Sequence, residues 1–393
     1  MEFETYSLGE LYDVASGLSK SAKEFGNGGT PFVSFKTVFN NYFLPDEIKD
    51  VANATEKEQE KCSVRMGDVF LTRTSETMHE LGMSSVALKD YPTATFNGFT
   101  KRLRMKSDCQ VKVYPRYIGY YLRSREFRNQ IDAMALLSTR ASLNNEMIGR
   151  LTIRVPDYEI QKKIAAVLGS LDDKIELNNA INKNLEAQAK TIFEKELCLF
   201  DDVPEGWVKS NLIGIADYLN GLAMQKYRPK EGEQGLPVLK IKELRQGICD
   251  ANSEFCSPSI MPKYIVEDGD VVFSWSGSLL VDFWCGGKCG LNQHLFKVTS
   301  AKFEKWFYYA WTNYHLEKFA AIAADMATTM GHIKRGELEK AEVLIPTTEE
   351  YHRIGSLLAP IYDLVISNRV ENRKLAELRD SLLPKLMSGE IEL

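Results

Sequence analysis

A long helical segment occurs twice in this chain. Residues 155–193 begin VPDYEIQKKIAAVLGSLDDKIELNN, residues 345–383 begin IPTTEEYHRIGSLLAPIYDLVISNR, and the two align without a gap at a constant offset of 190 residues. Apolar residues recur at alternating spacings of four and three, which is the seven-residue period of helices that wrap around each other. Each copy carries two matched asparagines on this seam, and a seam asparagine fixes helix register at a cost in stability. The predicted seam consists of Leu171, Ile175, Asn178, Asn182 and Leu185 in the first copy and Ile361, Val365, Asn368, Asn372 and Leu375 in the second.

The repeat extends beyond the helices. The string GDVFLTRTS at residues 67–75 resembles GDVVFSWSG at residues 269–277, and in both a short β-rich run follows a Gly-Asp turn. Two further pairs of segments match in the same order, so each helix follows a variable domain of the same type. These pairs are residues 8–17 with 212–221 and residues 30–36 with 236–242.

Each variable domain mixes strands and helices. The β-rich runs at 69–72 and 270–274 are followed by helical stretches at 117–132 and 303–324, and a Val-Pro or Ile-Pro pair then opens the long helix. The sequence therefore predicts an α+β fold, in which two mixed α/β domains are separated by two long antiparallel coiled-coil helices with pseudo-two-fold symmetry. The predicted boundaries are 1–155 and 201–345 for the mixed domains, and 156–200 and 346–393 for the helical regions.

Length and composition limit the class of protein. A chain of 393 residues is longer than a typical single domain, so more than one hydrophobic core is expected. It has no apolar run of about 18 residues, and the acidic, polar start EFETYSLGE does not resemble a signal peptide. Seven cysteines, an odd number without regular pairing, suit a reducing compartment. We therefore expect a cytoplasmic protein without membrane association.

The distribution of charge is more informative than the net charge of −5. Residues 101–128 carry nine basic and only two acidic side chains, interspersed with Tyr and Phe. Such a stretch either follows a phosphate backbone or forms the solvated face of an amphipathic helix, and the sequence leaves both interpretations open. Residues 201–345 carry 16 basic against 19 acidic side chains. Any contact of that region with nucleic acid must therefore rely on a local patch or on a partner.

No catalytic constellation is recognisable. Gly286-Gly287-Lys288 lacks the glycine spacing and the Ser/Thr of a Walker A loop, and Gly26-Asn27-Gly28-Gly29 does not lie between a clear strand and helix, as a dinucleotide or S-adenosylmethionine loop would. Pro156-Asp157 followed by Asp172-Asp173-Lys174 fits a loose nuclease pattern, but these residues lie along one predicted helix and the second copy lacks them. We predict no catalytic residues, while a nuclease or hydrolase with an unrecognised site stays an alternative.

Four cysteines, Cys249, Cys256, Cys285 and Cys289, raise the question of zinc. Structural zinc favours cysteines separated by two to four residues, and only Cys285 and Cys289 approach that spacing. We expect buried free thiols rather than a metal site, and the sequence alone does not decide between them.

Taken together, these features resemble the specificity subunit of a type I restriction-modification system. The resemblance covers the whole chain and rests on the duplicated order of the Gly-Asp-Val strand, the Val/Ile-Pro junction and the helix with central asparagines, and on the C-terminal stretch LPKLMSGEI. The family implies a non-catalytic subunit whose two target-recognition domains each contact one half of a bipartite double-stranded DNA site. It also implies that the helices set the gap between the halves and dock two methyltransferase subunits, which in turn recruit the restriction subunits. S-adenosylmethionine, ATP and Mg²⁺ are then expected only in those partners, and this chain needs no cofactor.

Residue type and repeat position select candidate DNA contacts. Arg and Lys pair with guanine or phosphate, Ser, Thr and Asn donate and accept hydrogen bonds, and Gly lets the backbone approach phosphate. One set follows the Gly-Asp-Val strands, a second lies before the long helices, and two lysines follow matched upstream strands. The candidates are Arg73, Thr74, Ser75, Trp275, Ser276, Gly277 and Ser278, then Arg140, Ser142, Asn144, His332 and Lys334, and finally Lys36 and Lys242.

A second alternative is a self-associating coiled-coil scaffold that does not bind DNA. The sequence indicates neither the bases recognised nor the length of the gap, and it does not separate contacts to bases from contacts to phosphates. It also does not tell whether methyltransferase and restriction partners accompany this chain.

Overall fold

The chain divides into two compact units. Unit 1 comprises Met1–Asp173 and Glu377–Leu393, and unit 2 comprises Lys174–Ala376. Each unit contains one mixed α/β domain and a portion of each long helix. The boundaries predicted from the repeat give the helices regions of their own, whereas these units group residues that contact each other in space. The computed structural model describes residues 2–74, 80–136, 142–200, 202–325 and 335–393.

The elements of unit 1 are short until the first long helix begins. Apolar runs bounded by Gly, Asn and Asp favour short strands, and the side chains of Ser7, Ser34 and Asn144 cap helix N-termini. The strands are β1 (Phe3–Ser7), β2 (Tyr12–Ser16), β3 (Phe25–Val33), β4 (Val51–Ala52), β5 (Val69–Thr72), β6 (Ser84–Val86), β7 (Thr95–Phe96), β8 (Thr100–Met105) and β9 (Thr152–Pro156). The helices are α1 (Leu8–Leu11), α2 (Phe35–Asn40), α3 (Glu56–Lys61), α4 (Pro115–Tyr121), α5 (Arg125–Leu136), α6 (Asn145–Arg150) and α7 (Tyr158–Phe193), and α7 continues into unit 2 with a π-helical turn at Glu194–Cys198.

The elements of unit 2 follow in a similar order. None of the helices in the described part of the chain is long and apolar enough to cross a lipid bilayer. The strands are β10 (Val208–Asn211), β11 (Asp217–Asn220), β12 (Leu236–Leu239), β13 (Phe255–Cys256), β14 (Ile265–Val266), β15 (Val271–Ser274), β16 (Leu280–Phe283), β17 (Cys289–Leu291), β18 (Leu295–Thr299) and β19 (Glu342–Ile345). The helices are α8 (Leu212–Ile215), α9 (Ile241–Gln246), α10 (Lys305–Tyr314), α11 (Leu316–Asp325), α12 (Arg335–Glu339) and α13 (Thr348–Ser388), which returns to unit 1.

The two units have matching sheet topologies. In unit 1, β2-β8-β5-β6 form an antiparallel sheet, β4-β3-β7 form a smaller sheet, and β1 pairs with β9. In unit 2, β11-β18-β15-β16 form the corresponding antiparallel sheet, β13-β12-β17-β14 form the smaller one, and β10 pairs with β19. The mixed α/β composition predicted from the repeat is confirmed. Residues at the same strand ends can therefore be compared as counterparts.

The repeated Gly-Asp-Val string forms the same turn in both units. Gly67 and Gly269 have φ values of 85° and 86°, which lie in the left-handed region that favours glycine. The next residue closes the turn, because Asp68 and Asp270 each accept a hydrogen bond from the backbone N–H three residues earlier, at 2.7 and 2.8 Å. The strands that follow, β5 and β15, are buried along their whole length. The string thus starts an inner strand of the large sheet in each unit.

In unit 1, parts of both long helices pack against the mixed domain. Leu168 of α7 and Leu386 of α13 belong to the same buried hydrophobic core as the sheet. A polar contact accompanies this packing, since Arg379 Nη1 lies 2.7 Å from Asp172 Oδ1 and the Tyr120 hydroxyl donates to Asp172 Oδ2 at 2.6 Å. The helix ends are therefore part of the core of unit 1.

In unit 2, α7 and α13 run antiparallel. Asn178 Nδ2 donates to Asn372 Oδ1 at 2.9 Å and Asn368 Nδ2 donates to Asn182 Oδ1 at 2.8 Å, so residue numbers rise along one helix as they fall along the other. Asn182 and Asn368 are buried, and only in this register does Asn182 Oδ1 accept from Asn368 while Asn182 Nδ2 donates to the Val365 carbonyl at 3.3 Å. The predicted antiparallel helix pair is confirmed. Among the other seam residues Val365 is buried, and Leu171, Ile175, Leu185, Ile361 and Leu375 are half-buried.

Ion pairs join the helices of unit 2 to its mixed domain. Arg369 contacts Asp282 at 2.6 Å and Glu186 at 2.8 Å, and Arg373 contacts Asp268 at 2.8 Å. Burial disfavours the charged form of Arg369, but the two carboxylates outweigh that effect and raise its pKa. These contacts place the sheet edge at a defined position along α13.

The predicted helical stretches at 117–132 and 303–324 are each interrupted. The first is divided into α4 and α5, and the second into α10 and α11 with a break at His315. In unit 1 the break turns Arg123 inward, where its guanidinium donates to the carbonyl oxygens of Ser84, Val38, Phe39 and Asn41 at 2.5 to 3.1 Å. Periodicity alone did not predict these breaks, because the groups that stabilise them lie far away in sequence.

The asparagine pair gives a test of the helix register. Asn368→Leu leaves the buried Asn182 Oδ1 without its donor, and we expect it to lower the free energy of unfolding by about 1–3 kcal/mol. The double variant Asn182→Leu/Asn368→Leu is expected to recover much of the loss, because both polar groups are then removed. Urea unfolding followed by circular dichroism measures both effects, with exposed Asn184→Leu as the control. A single variant as stable as wild type would contradict the assigned register.

Candidate nucleic-acid interface

One end of the large sheet in each unit consists of loops. In unit 1, β5 ends at Thr72, which pairs with Thr100 at the start of β8. In unit 2, β15 ends at Ser274, which pairs with Leu295 at the start of β18. We call this region the loop end. It comprises residues 16–19, 73–74, 97–101 and 142–145 in unit 1, and residues 220–222, 275–278 and 292–295 in unit 2.

The loop end of unit 1 brings two sets of predicted contacts together. Thr74 forms a β-bridge with Ser142, although the two were selected from separate parts of the sequence. The backbone of Arg73 is held on both sides, since its N–H donates to the Phe99 carbonyl at 2.9 Å and its carbonyl accepts from the Leu143 N–H at 2.7 Å. Arg73, Thr74 and Ser142 are half-buried and share one surface.

Lys101 is a buried cation at this loop end. Its Nζ donates to Ser16 Oγ at 2.8 Å and to Asn145 Oδ1 at 2.6 Å, and the residue is only 6% exposed. Both acceptors are neutral, and none of the described carboxylates pairs with this ammonium. Burial lowers the pKa of Lys101, and the nearby guanidinium of Arg73 lowers it further. A phosphate oxygen would pair with this ammonium and accept its third N–H.

Two residues of the loop ends, Phe99 and His294, were not among the predicted DNA contacts. The Phe99 N–H donates to Asn97 Oδ1 at 2.6 Å, and the His294 N–H donates to Asn292 Oδ1 at 3.2 Å. Both turns therefore have the same Asx geometry at the same strand start. The sequence signal is an Asn two residues before an aromatic or histidine ring, in NGFT and NQHL. Its significance depends on strand pairing that no spacing rule reveals.

The loop end of unit 2 carries different side chains. Trp275 is the counterpart of Arg73, and its Nε1–H donates to Asn220 Oδ1 at 3.2 Å. Its ring centroid lies 6.1 Å from that of His294, whose Nδ1 lies 3.3 Å from Ser276 Oγ. Gly277 has a φ of 65°, and Gly277 and Ser278 are both exposed. Ser276 is itself buried, so this loop end offers the half-buried rings of Trp275 and His294 and the exposed Ser278 hydroxyl.

The two predicted phosphate contacts, Lys36 and Lys242, lie at corresponding positions. Each is the second residue of a short helix that follows a matched strand, α2 after β3 and α9 after β12. Both side chains are exposed. Lys242 forms an ion pair with Asp250 at 3.1 Å, and an exposed pair of this kind contributes little to stability. Breaking it to contact a phosphate would therefore cost little.

The remaining predicted contacts fall into two groups. The Asn144 side chain accepts from the Met147 N–H at 2.8 Å and so caps α6, which gives it a structural role. Ser75, Arg140, His332 and Lys334 lie outside the described residues.

Much of the basic stretch at 101–128 is directed into unit 1. Five arginines of this stretch neither follow a phosphate backbone nor form the solvated face of an amphipathic helix, because their side chains bind acceptors of their own unit. Burial lowers the pKa of Arg123 to about 10, so this side chain stays positively charged at physiological pH. The partners are the Ser63 carbonyl for Arg102, Asp68 for Arg104, Asp173 for Arg116, four backbone carbonyls for Arg123 and the Leu81 carbonyl for Arg128.

The nuclease-like string has structural roles. Asp157 accepts a hydrogen bond from the Glu159 N–H at 2.9 Å near the start of α7, while Asp172 and Asp173 bind Arg379 and Arg116. Fifteen residues of one helix separate the first aspartate from the second, about 22 Å at the usual rise. These carboxylates do not converge on one point.

The four cysteines of the zinc question do not converge on one point. Cys256, Cys285 and Cys289 each lie in a different hydrophobic cluster, and Cys249 packs against the cluster of Cys289, where the two thiols contact each other. Within the described ranges, no three His, Cys, Asp or Glu side chains form a group suited to a metal ion. The chain's cysteines are free thiols in this structure.

Comparison with known proteins identifies the family. A family model for the type I restriction modification DNA specificity domain matches residues 1–187 and 204–379, so it matches each half of the internal repeat. The type I restriction enzyme MjaIX specificity subunit of Methanocaldococcus jannaschii is 23% identical, with 99% of this chain and 94% of that protein aligned. The HindI specificity subunit of Haemophilus influenzae is 20% identical, with 99% of this chain and 100% of that protein aligned.

A solved structure has the same fold. The crystal structure of a type I restriction-modification system S subunit from M. genitalium superposes with a TM-score of 0.58 at 12% identity, and the match covers 98% of this chain and 96% of that chain. The chain therefore belongs to the type I restriction modification DNA specificity family, as a specificity subunit rather than an enzyme.

Proposed function

We propose that this chain recognises a bipartite double-stranded DNA site, with one half contacted by each loop end. The observation that carries the proposal is the matched construction of the two loop ends with different side chains. Arg73 and Phe99 of unit 1 correspond to Trp275 and His294 of unit 2. A common scaffold with different donors, acceptors and apolar groups suits two half-sites of different sequence.

We expect the loop end of unit 1 to bind DNA mainly through charged groups, and that of unit 2 mainly through aromatic and neutral hydrogen-bonding groups. Arg73 and Lys101 offer two adjacent cations, which suit a guanine edge and a phosphate. Trp275, Ser278 and His294 offer rings and a neutral hydrogen-bonding group, in keeping with the acidic excess of residues 201–345. Because charge neutralisation releases counterions, contacts to the first half-site should depend more strongly on salt than those to the second.

The long helices are proposed to set the unrecognised gap between the half-sites. The helix α7 has 36 residues and α13 has 41, about 54 and 62 Å at the usual rise, so each is longer than one turn of B-DNA at about 34–36 Å. The buried Asn182–Asn368 pair supports a fixed register for such a spacer.

The helices are also proposed to dock two methyltransferase subunits, which recruit the restriction subunits. The seam asparagines contact each other, so docking would use neighbouring faces of the helices. Leu177 and Ile181 of α7 and Leu357 and Leu364 of α13 are large apolar residues that lie exposed there. Catalysis, with its S-adenosylmethionine, ATP and Mg²⁺, would then belong to the partners, in the cytoplasm.

Co-expression with the cognate methyltransferase subunit tests this proposal. We expect native mass spectrometry to find two methyltransferase subunits per chain, and sequencing of modified bases to find methylation within one interrupted motif. The chain alone should not cleave DNA in Mg²⁺. Failure to bind any methyltransferase would refute the docking proposal, and methylation within an uninterrupted motif would refute the bipartite site.

Arg73 gives a test of the loop end of unit 1. Arg73→Ala should weaken specific binding by the assembled complex by about 1–3 kcal/mol if the guanidinium contacts a base. Arg65→Ala is the matched control, because Arg65 is exposed at the opposite end of the same strand. Fluorescence anisotropy with a duplex that carries the site, at several salt concentrations, measures both. Equal affinities for the two variants would remove Arg73 from the interface.

The helices can be lengthened without altering either unit. We would insert seven residues between Asp173 and Lys174 and seven between Ala376 and Glu377, the points where the units divide, so that the seam keeps its heptad period. About 10 Å of added helix should lengthen the tolerated gap by about three base pairs and leave both half-site sequences unchanged. The same insertion after Gly232, in an exposed loop, is the control. An unchanged gap would mean that the helices do not set it.

A further inference from the structure

The exposed ring of Phe99 has no structural role that accounts for its position. The side chain is 60% exposed, whereas Phe32, Phe70 and Phe96 of the same unit are fully buried. Burying a phenyl ring stabilises a folded protein, and the exposed Phe99 ring lacks most of that stabilisation. A single exposed apolar residue is nevertheless common, so exposure alone indicates no function.

The backbone around Phe99 is fixed, which distinguishes it from a residue on a loose loop. Its N–H donates to Asn97 Oδ1 at 2.6 Å and its carbonyl accepts from the Arg73 N–H at 2.9 Å. The preceding Gly98 N–H donates to the Leu18 carbonyl at 2.7 Å. A ring held outward in this way loses little conformational freedom when it binds, which favours affinity.

Unit 2 builds the same turn. The Gln293 N–H donates to the Leu222 carbonyl at 2.9 Å, as Gly98 does to Leu18, and His294 takes the place of Phe99. The neighbouring glycines explain the tight approach, because a Cβ on Gly17 or Gly221 would collide with backbone carbonyl oxygens of the turn. The chain therefore retains one scaffold in both units and places a different ring on each.

We infer that Phe99 contacts the bases of the first half-site as an apolar ring, and that His294 occupies the matching position against the second. The inference rests on the proposed DNA-binding function and adds to it the chemistry of one contact. The Arg73 N–H donates to the Phe99 carbonyl, and Lys101 lies two residues further along the chain, so the ring has one neighbouring cation for a guanine edge and one for a phosphate. Proteins contact the bases of a duplex in this way where an apolar side chain enters an unstacked base step. The apolar partner is either the face of an unstacked base or the 5-methyl group of a thymine.

The test uses the full chain in complex with its methyltransferase subunits. Duplexes enriched by the wild-type complex from a random-sequence pool define the site. Phe99→Ala should then bind that site at least about fivefold more weakly, the lower limit for losing one base–aromatic contact. Met66→Ala should bind within twofold of wild type, because Met66 is 61% exposed but precedes β5, at the opposite end of the sheet. Phe99→Trp, which keeps a ring, should retain most of the affinity.

Modified duplexes distinguish the two apolar partners. Replacing thymine with deoxyuridine at each position should reproduce the Phe99→Ala loss at one position if the ring contacts a methyl group. If the ring instead contacts an unstacked base, 2-aminopurine at one position should brighten on binding of wild type and not of Phe99→Ala.

Each other outcome has a defined meaning. Wild-type affinity in Phe99→Ala, or an equal loss on duplexes of unrelated sequence, would overturn the inference and leave the proposed function intact. If the wild-type complex enriches no sequence, the proposed function fails and this inference with it.

Discussion

The buried hydrogen bond between Asn182 and Asn368 is the interaction on which the arrangement of unit 2 depends. An apolar seam alone tolerates several registers, because one leucine packs against another almost equally well after a shift of one heptad. The buried asparagines do not tolerate such a shift, since the Asn182 carbonyl oxygen would lose its donor, Asn368, in an apolar interior. With the register set, Arg369 and Arg373 of α13 lie opposite Asp282 and Asp268 of the mixed domain. The position of the sheet along the helix therefore follows from the seam.

In the mixed domains, a few residues likewise set the position of a whole strand. Gly67 and Gly269 adopt φ values that favour glycine, and the adjacent aspartates close equivalent turns. Those turns start the inner strands whose far ends carry Arg73 and Trp275. Constraints at one end of each strand thus preserve the scaffold, while the residues at the loop end differ without disturbing it. The proposed recognition of two different half-sites with one fold would use this separation of constant and variable positions.

The number of basic residues in a stretch of sequence did not predict how much positive charge lies on the protein surface. The basic stretch at 101–128 is the most positive part of the chain, yet Arg102, Arg104 and Arg123 bind acceptors within unit 1. Their partners lie about 40 to 80 residues away, and a buried guanidinium requires several acceptors that only the folded chain assembles. Lys101 differs from them because its two partners are neutral and Arg73 lies nearby. One buried cation near another is a more specific signal for an anion than nine basic residues spread over residues 101–128.

The α+β class, the duplicated order of domains and helices, and the family resemblance were all predictable from the amino-acid sequence, because repeats and heptad spacing are properties of the chain read in one dimension. The sequence also selected Arg73, Thr74, Trp275 and Ser276, since each follows a strand that the repeat identifies. Only the tertiary structure placed Ser142 beside Thr74, directed the arginines inward, interrupted the predicted helices and revealed Phe99 and His294 as counterparts. These outcomes depend on strand pairing and burial between residues far apart in sequence, where hydrogen-bond partners and solvent exposure are decided by the whole fold.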